Sequence, residues 1–283
     1  MISDIASAPD LRDLLRFYAE AGYDEAIEEA SVNRFAEQQQ RARQTAAAPA
    51  RPAPAKPTRE APGPAPARPA SRPAMPAAIP DEEQAQRARA LAREARTLDE
   101  LREIMARFDG CNLKFTAKNL VFADGNPKAD LMLVGEAPGR DEDIEGLPFV
   151  GRSGQLLDRI LAAIGRDRTS VYIANVIPWR PPGNREPSPL ETEICRPFIE
   201  RQIELASPKV LVTLGNPSTK LLLKAQTGIM RMRGTWQRYA TISGAEIPAM
   251  PTLHPAYLLR NPAHKRLAWR DFLEVKSRLM ALE

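Results

Sequence analysis

Four short apolar runs, separated by stretches of helical pattern, constrain the fold of this 283-residue chain more than any other feature. They cover residues 129–135, 171–176, 209–215 and 248–253. Capping signals such as SPLE at residues 188–191 open helices between them. Strands that alternate with helices predict parallel pairing with helices on both faces of the sheet. We therefore expect an α/β fold around a central, mostly parallel four-stranded sheet.

Residues 45–80 separate this alternating region from the N-terminus. They contain 24 Ala or Pro in 36 positions, including 11 of the 27 prolines, and no aromatic residue. Such a stretch cannot bury enough apolar surface to offset chain entropy, so we interpret it as a disordered linker. Residues 1–44 form a short helical segment in this interpretation, and residues 81–283 form the main folded domain. The first segment is too small to fold strongly alone, which favours a docking role.

The length of the apolar runs and the number of cysteines exclude membrane-spanning and disulfide-rich proteins. No apolar run is long enough to cross a bilayer, and two cysteines are too few for a disulfide scaffold. We expect a cytoplasmic protein that does not bind membranes.

The net charge is distributed unevenly along the chain. Residues 1–44 carry a net charge of −4 and residues 45–80 carry +4, so the chain's total of +4 equals the charge of residues 81–283. This mild basicity is compatible with a polyanionic ligand but does not require one.

The loops after the predicted strands carry the candidate functional residues, because ligands of parallel sheets bind at the carboxyl ends of the strands. The first loop opens with the turn GEAPG at residues 135–139, whose backbone N–H groups can face a ligand. It also contains Glu142 and Phe149. A planar ligand can stack on Phe149, although a position in the core is equally consistent with the pattern.

The second loop begins at Asn175, where a side-chain amide can bind the donor–acceptor edge of a nucleobase. Arg180 and Arg185 follow among several prolines and suit phosphate contact, with simple stiffening of the loop as the alternative. The third loop, residues 215–218, offers only a glycine turn and a helix start. We interpret it as structural.

The fourth loop begins with His254, one of only two histidines. Tyr257, Leu258 and Leu259 follow as an apolar group, and Arg260 comes directly after them. Apolar side chains beside a cation can unstack a DNA step and hold its phosphates. Packing into the core is the alternative. Taken together, the loops suit extraction of a base from a duplex.

Four segments of the chain resemble the uracil-DNA glycosylase superfamily, and within it the bacterial and archaeal family 4 enzymes. They are GEAPG at residues 135–139, GLPFVGRSGQLLDRIL at 146–161, RPPGNR at 180–185 and LHPAYLLRNP at 253–262. The resemblance spans roughly residues 109–283. It implies a monofunctional enzyme that flips uracil out of DNA and hydrolyses its N-glycosidic bond, which starts base excision repair.

The resemblance also implies a role for each residue. Phe149 would stack on uracil, Asn175 would bind its Watson–Crick edge, and His254 would donate a hydrogen bond to O2. The backbone of residues 135–137 (Gly135, Glu136, Ala137) would line the pocket. Leu258, with Tyr257 and Leu259, would fill the gap in the base stack. Arg260 would contact phosphate. For Arg180 and Arg185 the expected DNA contact rests on the basic second loop itself.

The sequence departs from the best-known branch of the superfamily at one position that matters for catalysis. Ala137 stands where the best-known branch of the superfamily has an Asp, and family 4 shares this Ala. A methyl group cannot activate water, so Glu136 and Glu142 are the candidates for this task. Glu142 is also a candidate for narrowing the pocket against the methyl group of thymine.

Two other functions stay open at this point. One is a glycosylase for other deaminated bases, such as hypoxanthine or xanthine. The other is a non-enzymatic module that binds damaged DNA, which Ala137 makes conceivable. If the protein is a uracil-DNA glycosylase, its substrate is DNA that contains uracil. We expect a monomer, with a repair or replication partner that binds residues 1–44.

The second departure concerns the cofactor. Family 4 members typically hold a four-iron cluster on four cysteines. In the alignment of the motifs, Cys111 and Cys195 occupy two ligand positions, whereas Phe108 and Trp179 occupy the other two. Because such a cluster needs four protein ligands, we expect no cluster, no metal and no other cofactor. We expect the two rings to fill its volume and the two thiols to lie close together.

Overall fold

A six-stranded sheet forms the centre of the protein, whose computed structural model describes residues 82–282. Its strands are β1 (Asp124–Gly125), β2 (Leu131–Gly135), β3 (Val171–Asn175), β4 (Val210–Leu214), β5 (Gln237–Ala240) and β6 (Glu246–Thr252). They lie in the order β1-β3-β2-β4-β6-β5. The four inner strands are parallel, and β1 and β5 pair antiparallel at the two edges. The expected α/β class and the four-stranded parallel centre are confirmed, and the sequence patterns missed both edge strands.

The α-helices within residues 82–282 lie before, between and after the strands. They are α1 (Glu82–Glu94), α2 (Leu98–Arg107), α3 (Leu113–Thr116), α4 (Arg140–Glu145), α5 (Arg152–Ala163), α6 (Pro189–Ala206), α7 (Asn216–Leu223), α8 (Ile229–Met232), α9 (Pro255–Arg260) and α10 (Lys265–Met280). Short 3₁₀ turns cover Pro182–Asn184 and Pro262–His264. No helix of this described part is both long and apolar enough to cross a membrane.

Both faces of the sheet carry an apolar core, because successive side chains of a strand point to opposite faces. On β2, Met132 and Val134 face one core, which α1, α2 and α6 complete. Leu131 and Leu133 face the other core, which α5 and α10 complete. This two-sided burial explains why the inner strands are continuously apolar rather than alternating.

The predicted start of α6 is confirmed in detail. The Ser188 hydroxyl accepts a hydrogen bond from the backbone of Glu191 at 3.2 Å, and the Glu191 carboxylate accepts one from the backbone of Ser188 at 2.7 Å. Pro189 occupies the first helical position, where its missing N–H costs nothing. This cap fixes where the chain turns from the second strand-end loop into α6.

Because the inner strands are parallel, the loops that follow them all lie at the carboxyl ends of the strands. β2 ends at Gly135 and β3 at Asn175, and these two residues are partners in the strand register. β4 ends just before Gly215, and β6 ends two residues before His254. The four candidate loops therefore start from neighbouring positions.

The interpretations of residues 1–44 and 45–80 lie outside the described residues. The proposed domain boundary at residue 81 stays a prediction.

Candidate active site

A cavity of about 590 Å³ opens at the carboxyl edge of the sheet. This size is typical of pockets that bind small molecules. All four strand-end loops contribute to its lining, which includes Glu136, Ala137, Glu142, Phe149, Asn175, Arg185, Tyr257, His254 and Arg260. Most of the candidate residues thus meet around one space.

Gly135 allows two of these side chains to meet at the floor of the cavity. A Cβ atom at this position would lie 2.6 Å from Cζ of Phe149 and would overlap Oδ1 of Asn175. Asn175 is buried, and its Oδ1 has no hydrogen-bond partner among residues 82–282. A buried acceptor without a partner is costly in a folded protein and marks a place where a ligand can donate.

Phe149 holds its ring in the cavity through an unusual backbone. Its φ is 57°, in the left-handed region that a bulky residue occupies at a cost of about 1–3 kcal/mol. A Cβ atom at Gly154 would overlap the Phe149 carbonyl, so α5 can pass this close only because it carries a glycine there. The ring is buried and stacks on the His254 ring, with centroids 5.4 Å apart and 29° between planes.

His254 is both the N-cap of α9 and a wall of the cavity. Its Nδ1 accepts a hydrogen bond from the Ala256 backbone at 3.1 Å, so in the neutral ring the proton resides on Nε2. Burial, together with the nearby charge of Arg260, lowers the pKa of His254 to about 4. Near neutral pH, the ring is therefore a neutral donor through Nε2–H.

The two candidate carboxylates occupy different environments. Glu142 accepts from the backbone of Gly139 with one oxygen and from the backbone of Gly151 with the other, both at 3.0 Å. The Glu136 carboxylate lines the cavity and has no hydrogen bond to any residue of the described part of the chain. Burial, and to a lesser degree the charge of Glu186, raises the pKa of Glu136. Glu142 thus ties the two ends of its loop together, whereas Glu136 is available to a ligand or water.

The two arginines of the second loop are held differently. Arg185 lines the cavity and forms a two-pronged ion pair with the buried Glu191, at 2.6 and 2.9 Å. Arg180 donates to Asn184 at 2.7 Å and approaches Asp143 at 3.9 Å, outside the cavity lining. Their contribution to DNA binding stays a prediction.

The structure corrects the interpretation of Leu258. The segment after His254 is the helix α9 rather than a loop, and it turns Leu258 into the core, where 1% of its surface is exposed. There it packs with Leu253 and Ala268. This burial favours the core position that the sequence left open as the alternative. Tyr257 and Leu259 are only partly buried and remain the apolar candidates on this helix.

The structure also corrects the interpretation of the third loop. Gly215, Asn216 and Pro217 line the cavity, as do Ile229 and Met230 of α8. Gly215 has a φ of +91°, and a Cβ atom there would lie 3.0 Å from Cβ of His254. In the sequence, the position of Gly215 directly after a strand was the feature that could have assigned it to the site. The four-residue helix α8 has no sequence pattern that connects it to the site.

Cys111 and Cys195 provide two thiols, whereas a four-iron cluster needs four protein ligands. The two sulfur atoms lie 3.9 Å apart, as expected, and both side chains are buried. Phe108 and Trp179 are buried in the same core, and the Phe108 ring packs edge-on against Phe198. Donation to Cys111, reinforced by burial, raises the pKa of the Cys195 thiol.

Comparisons with known proteins agree with this geometry. A sequence profile of the uracil DNA glycosylase superfamily matches residues 122–273, which include all four strand-end loops. The chain belongs to the uracil-DNA glycosylase superfamily.

Similar members of this superfamily are named type-4 uracil-DNA glycosylases. The enzyme of Saccharolobus solfataricus is 41% identical over 190 residues, which are 64% of this chain and 86% of the relative. That of Archaeoglobus fulgidus is 40% identical over 181 residues, or 62% of this chain and 90% of the relative. That of Thermotoga maritima is 37% identical over 191 residues, or 64% and 96%. The resemblance to family 4 is confirmed, while the role of each site residue stays a prediction.

The depressed pKa of His254 predicts a pH dependence of stability. Its usual value of 6.5 applies to the unfolded chain, which therefore binds the proton first as the pH falls. The contribution of His254 to stability is complete above pH 6.5 and is lost as the pH falls towards 4. Between pH 7 and pH 5, the free energy of unfolding should fall by about 2 kcal/mol more in the wild type than in His254→Asn.

Urea unfolding of both proteins at the two pH values measures this difference. His254→Asn is the suitable reference because Asn can still accept from the Ala256 backbone. Equal losses in both proteins would show that the pKa of His254 is not depressed in the fold.

Proposed function

We propose that this protein excises uracil from DNA by hydrolysis of the N-glycosidic bond. The observation that carries the proposal is the unpaired, buried Oδ1 of Asn175 in a cavity that the Phe149 and His254 rings also line. The type-4 uracil-DNA glycosylases among the relatives support the same activity. DNA is then the macromolecular substrate.

Recognition of the base uses three side chains. The Phe149 ring stacks on the flipped uracil. Oδ1 of Asn175 accepts from N3–H, and its amide nitrogen donates to O4. Nε2–H of His254 donates to O2. Cytosine presents an acceptor at N3 and a donor at its exocyclic amine, so it would face like groups at Asn175 and be rejected.

The chemistry follows from where charge develops. As the bond between N1 and C1′ breaks, its electron pair goes to uracil, whose O2 and N1 become negative. The sugar gains oxocarbenium character. A neutral His254 stabilises the leaving anion by hydrogen bonding alone, and a preorganised donor of this kind contributes about 3–4 kcal/mol. Water adds to C1′ on the opposite side and loses its proton.

Glu136 is the residue that we assign to this water. Its carboxylate is free of protein hydrogen bonds within residues 82–282, and its raised pKa makes it a better proton acceptor than an ordinary glutamate. Its negative charge also stabilises the cationic sugar. Glu142, with both oxygens engaged by backbone amides, positions the loop instead.

The direct test is incubation with an oligonucleotide that contains one uracil, followed by alkali to break the abasic site. We expect strand breakage in the uracil lane and none in a thymine lane. His254→Ala should lower the single-turnover rate by about 100- to 1,000-fold with little change in DNA affinity. Lys209→Ala, at the opposite end of β4, serves as the control with wild-type activity.

Other deaminated bases belong in the same experiment. A panel with hypoxanthine and xanthine distinguishes a uracil enzyme from one of broader range. An intact uracil strand at high enzyme concentration would refute the proposed function. Intact strands together with tight binding to uracil-containing DNA would instead support the non-enzymatic module.

Replacing each glutamate in turn distinguishes the roles of Glu136 and Glu142. Glu136→Gln should lower the single-turnover rate by about 100-fold and leave thermal stability nearly unchanged, because it removes only a proton acceptor. Glu142→Gln should chiefly lower the melting temperature, because it weakens the bonds to Gly139 and Gly151. The reverse pattern would assign the water to Glu142.

We also propose that the protein holds no iron–sulfur cluster or other cofactor. The cysteine count supports this, because a four-iron cluster needs four protein ligands and the buried Phe108 and Trp179 stand at the other two ligand positions. Protein purified without oxygen should be colourless and free of iron by elemental analysis. Iron in stoichiometric amount, with the visible absorption of a cluster, would contradict the proposal.

The remaining assignments are also proposals. We propose that the enzyme acts as a monomer in the cytoplasm and that residues 1–44 bind a repair or replication partner. Tyr257, Leu259, Arg185 and Arg260 are the DNA-binding residues that we retain at the cavity and on α9, with Arg180 beside them.

A further inference from the structure

Arg168 connects the backbone of Phe149 to two other parts of the fold. It lies three residues before β3, outside the cavity lining. Its guanidinium donates to the carbonyl of Pro148 at 3.1 Å and also to the carbonyl of Phe149. Two successive carbonyls of the strained turn thus share one donor group.

Two carboxylates fix this guanidinium in turn. Asp124 of β1 pairs with Arg168 at 2.5 Å, and Asp158 of α5 pairs with it at 2.9 Å. The Arg168 side chain is only 26% exposed. An arginine held on two sides presents its remaining N–H groups in a fixed direction.

The turn at Phe149 requires such a partner. Its left-handed φ is unfavourable for an aromatic residue, and its carbonyl packs closely against Gly154 of α5. Without a donor, the carbonyl would lose its hydrogen bond, and the backbone would be free to relax to a more favourable φ. Relaxation would carry the ring away from the position where it stacks on His254.

We infer that Arg168 is a positioning residue for uracil excision, acting through Phe149. This inference rests on the proposed function, since the ring is the stacking surface for the base. Arg168 reaches neither the base nor the sugar in this arrangement. Its loss should therefore slow the chemical step more than it weakens DNA binding.

The first test is a double-mutant cycle under single-turnover conditions. Arg168→Met should lower the rate of uracil excision by about 100-fold, the loss that a misplacement of the substrate by about 1 Å can cause. In a Phe149→Ala background, the same substitution should lower it by less than about threefold, because the ring is no longer there to position. Arg168→Lys should recover part of the activity, because it keeps the charge and one donor.

Arg201 offers a matched control. It donates two hydrogen bonds to the carbonyl of Ala95 and pairs with Glu204 at 2.6 Å, and its side chain is 21% exposed. Arg201→Met should lower the melting temperature without slowing excision. Equal slowing by Arg201→Met and Arg168→Met at equal destabilisation would overturn the inference in favour of a purely structural role.

The second test does not depend on activity. With only two histidines in the chain, ¹³C-labelled histidine gives two ring signals, and the Phe149 ring current shifts that of His254. Arg168→Met should move the His254 signal and leave that of His264 in place, and Arg201→Met should move neither. An unmoved His254 signal, or an undiminished excision rate in Arg168→Met, would overturn the inference. A wild-type protein without excision activity would refute the proposed function, and the histidine signals alone would then decide the role of Arg168.

Discussion

The site depends on the absence of one side chain. Gly135 ends β2 opposite Asn175 of β3, and the space that a Cβ atom would fill there is occupied by the Asn175 amide and the Phe149 ring. Any larger residue would push both groups out of the cavity floor. The strand register therefore brings Gly135 and Asn175 together at the cavity floor, and the loops build the rest of the cavity around them.

The other contacts hold the cavity walls at this floor. Glu142 ties Gly139 to Gly151, so the loop that carries Phe149 is closed at its base. The N-cap of α9 fixes His254 through the same hydrogen bond that leaves its Nε2 as the donor. One hydrogen bond thus both caps the helix and sets the tautomer of His254. This hydrogen bond explains how a neutral histidine is oriented although no carboxylate within residues 82–282 is bonded to it.

The strand alternation predicted the parallel centre of the sheet and placed Phe149, Asn175 and His254 on converging loops. It could do so because apolar patterning and the alternation of strands with helices can be recognised along the chain itself. The sequence did not reveal that Leu258 turns inward, because this follows from the cap at His254, which makes the segment a helix rather than a loop. It also did not reveal the positive φ of Phe149 or the approach of α8. Both arise from contacts between residues that are distant in the chain.

In the proposed complex, Asn175 and His254 hold the edge of the base against the Phe149 ring. An NMR titration with free uracil, and with 3-methyluracil as the control, measures these contacts. Uracil should shift the side-chain amide of Asn175 and the ring signals of His254. The control compound, which has no N3–H to donate to Oδ1, should not shift them at the same concentration. Equal shifts by both compounds, or shifts by uracil confined to residues outside the cavity, would show that these side chains do not bind the edge of the base.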